Sequence, residues 1–162
     1  MINEQELGKE MITLKIIFFA MVFSLAVYLF VGLAVVNNAK TSMDNDAFGI
    51  LRAVLYGMAF IILLITKPVR KLILTRGGLG RRPVVSFKHP KVQKYALAMI
   101  VASAMTEGIG IFGLVLYILG KNVMDLYILI AVSAFVMIQY RPNKDEVIGL
   151  IEEGRMGPAS GI

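Results

Sequence analysis

Between residues 16 and 140 the chain alternates long apolar runs with short polar breaks, and the length of the runs selects the element. Ile16 to Val36 holds 21 residues without a charge. As a helix that run spans about 30 Å, the thickness of the hydrocarbon core of a bilayer. Ala47 to Thr66 is broken only by Arg52, Tyr95 to Leu119 only by Glu107 near its middle, and a fourth run reaches from Val123 to Tyr140. The pattern predicts an all-α membrane protein with four transmembrane helices, over about 16–36, 47–66, 95–119 and 123–140. These make one domain over 1–142, with a cytoplasmic short helix and tail over 143–162. The first run is read as a span and not as a cleaved signal peptide. It exceeds the usual apolar region of a signal, it follows Glu4, Glu6 and Glu10, and no clear cleavage pattern comes after it.

Composition agrees: 57% of the residues are hydrophobic and 17% charged, an apolar surplus that a small water-soluble core cannot absorb. With no cysteine and one histidine, His89, disulfides, thiolate metal sites and Cys nucleophiles are excluded, and no cofactor or metal is expected. His89, between Lys88 and Pro90, reads as an interfacial loop residue.

The net charge of +6 is local, because nine of the 17 basic residues fall between Lys67 and Lys94 with no acidic residue among them. Lys and Arg accumulate on the cytoplasmic side, so this loop is expected inside, and four crossings then put both termini inside. The predicted location is the cytoplasmic (inner) membrane, multi-pass. Arg70, Lys71, Arg81 and Arg82 are candidate contacts to anionic head groups or a partner, and nucleic acid is not an expected ligand. Gly77, Gly78, Gly80, Pro83 and Pro90 argue against a folded loop domain. The Gly-rich stretch before Arg81 lacks the spacing of a phosphate-binding loop. Leu72, Ile73 and Leu74 are expected to continue the second helix. After Pro142, Asn143 caps a short helix with Glu146 at its third position, and Val147, Ile148, Leu150 and Ile151 give it an apolar side. That side is expected on the inner membrane surface or against a partner, with residues 154–162 as a frayed tail.

An internal repeat is visible. Ala59-Phe60 leads to Lys67-Pro68 as Ala134-Phe135 leads to Arg141-Pro142, and Phe30 to Val35 aligns with Ile111 to Leu116. With the orientation above, the halves are two parallel helical hairpins, and the basic-Pro pairs read as helix stops.

Inside the spans, one carboxylate, Glu107, and one guanidinium, Arg52, carry the chemistry on this reading. Glu107 lies about 18 Å from either end of its run, near the bilayer midplane. A charge there costs at least about 2.5 to 3.5 kcal/mol, so hydrogen-bond partners, a proton, or both are expected. Ala98, Ala102, Thr106 and Gly110 recur every four residues, and with Ser103 and Gly113 they form a small-residue face on which another helix can pack closely. Counting depth places Ser24, Ser133 and, slightly further out, Tyr56 near Glu107, a candidate polar layer. Arg52 lies roughly 10 Å further out. It is expected either to reach Glu107 by extension or to turn outward to the head groups.

Arg81-Arg82-Pro83 followed by a helix reading Ala-Ser-Ala-Met-Thr-Glu107-Gly-Ile-Gly-Ile-Phe-Gly-Leu-Val resembles the polar loop and ion-carrying helix of rotary ATPase c-subunit proteolipids, over about residues 77–119. The resemblance implies a reversible proton or sodium site at Glu107 and a stalk-contacting loop at Arg82 and Pro83. The second run departs from that family, having only Gly49 and Gly57 where a dense glycine repeat is needed, and it carries Arg52. The chain also resembles small four-span bacterial membrane proteins. The expected function is a non-enzymatic packing or assembly subunit, working as a homo-oligomer or with a membrane-protein partner. Proton or sodium handling through Glu107 is the alternative.

Overall fold

The computed structural model describes residues 4–36, 44–76 and 90–153, and these are helical almost throughout. Five helices follow in order: α1 (Glu4–Val36), α2 (Asn45–Arg76), α3 (Pro90–Gly120), α4 (Val123–Gln139) and α5 (Lys144–Glu153). Three of them are long and apolar enough to cross a membrane. α4, with 17 residues, is about 25 Å long. Together with α5, from which it is bent by 46°, it makes a fourth candidate. The protein is all-α and of multi-pass membrane type.

α3 is the hub. It packs against α1, α2, α4 and α5, and α1 also touches α4. α1 and α2, joined in sequence, have at most marginal contact with each other among the described residues, so they are held together through α3 and not as a packed hairpin. Cover is uneven, with 44% of the most apolar window of α3 buried but only 6% of that of α2. Ile50, Val54, Met58, Ile61, Leu64 and Ile65 stand exposed along α2, and Ile12, Ile16, Phe19, Phe23 and Phe30 along α1. In water such surfaces would be far larger than a monomer tolerates, whereas acyl chains solvate them without cost.

α2 continues well beyond its apolar run, through Leu72, Ile73 and Leu74 to Arg76. Pro68 sits inside it, so Lys67-Pro68 is not a helix stop. Arg141-Pro142 is one: α4 ends at Tyr140, whose backbone N–H bonds back to Met137, and the residue before a proline is disfavoured in helical conformation. The two basic-Pro pairs therefore do different structural work. The turn into α4 uses Lys121 in the left-handed region (φ 54°) and Asn122 as N-cap, its side chain accepting from the Met124 N–H at 3.1 Å.

α5 folds back onto its own chain. Val147 is buried with Leu7, Met11, Leu14, Val92, Tyr95, Met99 and Met137, and Ile148, Leu150 and Ile151 pack against that cluster. Asn143 caps α5 by accepting the Asp145 N–H at 3.0 Å. Glu146 does not close a reciprocal capping box. Its carboxylate instead accepts from Arg70 Nη2 at 2.6 Å and from the Tyr95 hydroxyl at 3.1 Å, while the Asn143 N–H donates to Tyr95 at 3.1 Å. Arg70 lies over the rings of Tyr95 and Tyr140, 5.8 and 5.6 Å from their centres. One charged residue of α2 thus ties α5 to α3.

Candidate functional site: two polar clusters between apolar helices

The carboxylates inside the apolar runs centre two polar clusters, each joining a different helix pair. In the first, α1 meets α3 at Glu107. Ser24 Oγ and the Tyr28 hydroxyl, one helical turn apart on α1, both donate to Glu107 Oε1 at 2.6 Å. Ser24 Oγ also lies 2.7 Å from the Met21 carbonyl. A hydroxyl has one proton to give, so it serves one of these acceptors at a time. Glu107 is half-buried.

The second cluster joins α2 to α4 at Asp125, a carboxylate absent from the candidates that the sequence pattern suggests. Asp125 is fully buried, and its Oδ1 accepts from Arg52 Nη2 at 2.7 Å and from the Tyr56 hydroxyl at 2.8 Å. Its Oδ2 is buried without a hydrogen-bond partner among the described residues. Arg52, 44% exposed, leans over the Tyr56 ring at 5.8 Å and lines an open groove of about 510 Å³ with Gly49, Ala53, Tyr56 and Ile128. Arg52 therefore neither pairs with Glu107 nor turns wholly outward. An acidic residue at matching depth, three positions into the fourth apolar run, takes its charge.

The expected polar layer is thus divided. Ser24 reaches Glu107, but Tyr56 belongs to the Asp125 cluster. Ser133 donates to the Thr106 carbonyl at 2.6 Å, bridging α4 and α3 beside Glu107 without touching its carboxylate. Thr106 turns its hydroxyl back to the carbonyls of Ala102 and Ser103 in its own helix, and buried Ser103 Oγ has no partner among the described residues. The small-residue face is filled from within the chain. Ala98 and Ala102 are buried, a Cβ on Gly110 would come within 2.7 Å of Leu25, and one on Gly113 within 3.0 Å of Leu129. These positions let α1 and α4 approach α3.

Two further residues carry a signal in the sequence. Tyr28 follows Ser24 by four positions and shares its helix face, and Asp125 interrupts an apolar run as Glu107 does. Of the predicted loop contacts, Arg70 pairs with Glu146 and Lys71 is exposed, while Arg81 and Arg82 lie outside the described residues, as do His89 and the tail over 154–162. Among the described residues no group of three or more His, Cys, Asp or Glu side chains could hold a metal ion.

Fold and site together define a class, an all-α protein of membrane-type helices stitched by polar clusters around two carboxylates. Comparison takes this no further, since no protein-family model, curated protein or solved structure matches the chain.

Proposed function

We propose that this chain is a non-enzymatic, four-span subunit of the cytoplasmic membrane, with both termini inside, that packs with a membrane partner or with copies of itself. The observation that carries this reading is that Glu107 and Asp125, the two carboxylates within the four apolar runs, are engaged in bonds between helices of the same chain. Such bonds commit the polar groups to holding shape and leave α2 with a broad apolar wall for lipid or another helix. Four crossings with the basic stretch inside agree with the charge distribution.

Orientation is tested by single-cysteine labelling with a membrane-impermeant reagent in intact cells. Positions beside Asp44 and Asn122 are expected to react, and positions near Gly78 and Ala159 to stay silent. The reverse pattern would invert the protein in the membrane.

Ion handling is the second reading, and one observation favours it. Glu107 Oε1 lies within hydrogen-bond distance of two hydroxyl oxygens, one of which has a backbone carbonyl as a second acceptor. The set has room for one proton on the carboxyl, which would then donate to Ser24 and leave the Ser24 proton for Met21. A c-subunit-like element would use Glu107 in this way. The two readings part on Glu107→Gln, which keeps shape and hydrogen bonding but cannot release a proton. As a structural clamp, Gln preserves assembly and every activity, and Glu107→Ala weakens the α1–α3 contact by about 0.6 to 2 kcal/mol. As an ion site, Gln abolishes proton or sodium flux in liposomes while assembly survives. Native mass spectrometry of the detergent-extracted particle reads assembly, and a symmetric ring would favour the second reading.

A further inference from the structure

Lys67, Arg70, Lys71 and Leu74 stand at spacings of three and four on α2 and therefore share one face of that helix. This face and the end of α4, through Gln139 and Tyr140, enclose an open cleft of about 430 Å³, within the size range of small-ligand sites. The charge in the cleft is unbalanced. Arg70 is answered by Glu146, but neither Lys67 nor Lys71 has a carboxylate within ion-pairing distance among the described residues. Immediately along the same two helices, towards the middle of the apolar runs, the surface changes to exposed hydrophobic side chains: Leu64 and Ile65 on α2, Phe135 and Ile138 on α4. Two unanswered ammonium groups below a strip of exposed apolar surface match a molecule with an anionic head and hydrocarbon tails. A soluble phosphate ester would use only the first half of the site.

We propose that this cleft seats the phosphodiester head of an anionic glycerophospholipid between Lys67 and Lys71, with its acyl chains lying along Leu64, Ile65, Phe135 and Ile138. Gln139 supplies an amide donor at the rim. The assignment rests on the reading of the chain as membrane-spanning and narrows a general attraction of the basic stretch for anionic membranes to one bound lipid. It also places that lipid beside the Arg70–Glu146 pair that holds α5.

The test titrates the full-length protein, in a neutral detergent, with phosphatidylglycerol or phosphatidylcholine and counts bound lipid by native mass spectrometry. Wild type is expected to retain phosphatidylglycerol over phosphatidylcholine. Lys67→Gln/Lys71→Gln should weaken phosphatidylglycerol binding on the order of thirtyfold, each lysine at an anionic surface contributing about a factor of five. Lys67→Arg/Lys71→Arg should retain it, which separates lost charge from lost folding. Lys91→Gln/Lys94→Gln removes the same charge from the same basic stretch but outside the cleft, and is expected to cost less than about threefold. Equal losses in the two Gln pairs would overturn the site in favour of a diffuse field. Glycerol phosphate, which lacks tails, should fail to displace the lipid, and effective displacement would overturn the lipid assignment. Protease protection of the wild type in sealed vesicles is read separately, because its absence would defeat the membrane-spanning reading itself.

Discussion

Replacing Arg52 with leucine is expected to destabilise the fold by about 3 to 5 kcal/mol, because it strands a buried carboxylate. Asp125 is fully buried, and with Arg52 removed its remaining hydrogen bond comes from Tyr56. The reverse deletion is milder. Arg52 is 44% exposed, so in Asp125→Leu its guanidinium can swing along the groove towards the head groups, and a loss under about 2 kcal/mol is expected. The double Leu variant removes both charges and should recover most of what Arg52→Leu loses, since an apolar pair of similar volume replaces an ion pair with little penalty. The three variants form a cycle whose coupling energy is read from denaturant unfolding in micelles. Equal losses in the two single variants would mean that Arg52 depends on the pair no less than Asp125 does, and the proposed escape of its side chain would be wrong.

The second large effect concerns α5. Val147 is 1% exposed, in a cluster drawn from α1, α3, α4 and α5, and an aspartate there would be a buried charge without a partner. Burying it costs several kcal/mol, so Val147→Asp should release the ten-residue α5 and leave the membrane helices in place. Hydrogen exchange over 144–153 is expected to accelerate by at least about a hundredfold, matching the loss of roughly 3 kcal/mol of docking energy. Glu146→Gln removes the charge on one side of the Arg70 pair but keeps the apolar contacts, so a smaller acceleration is expected. Unchanged exchange in Val147→Asp would show that the polar tie through Tyr95 and Arg70 holds α5 by itself.

Release of α5 would open the core cluster at one end of the bundle that holds Leu7, Met11 and Val92. The segment expected to lie on the membrane surface or against another protein instead packs against the chain's own third helix. The outward faces of α1 and α2 remain apolar and uncovered, and a partner helix would find its area there.

The sequence by itself determined the elements and their setting. Runs of about 20 apolar residues can be satisfied only as helices in lipid, where every backbone group must bond within its own segment, and Pro142 with Asn143 marks the break before α5 as surely as any contact does. It also determined that α3 would be the packing element, since Ala98, Ala102, Thr106, Gly110 and Gly113 offer the small face that lets neighbours approach. What only the tertiary structure decided is who meets whom. A helix that is apolar on every side has no stripe to say which face turns inward, so the rotation of α1 that brings Ser24 and Tyr28 to Glu107, and of α4 that turns Asp125 to Arg52, is not written in any local pattern. Depth alone grouped Ser24, Tyr56, Ser133 and Glu107 into one layer. The folded chain divides them, because hydrogen bonds and ion pairs act over about 3 Å in three dimensions, whereas residue counting fixes position along one axis only.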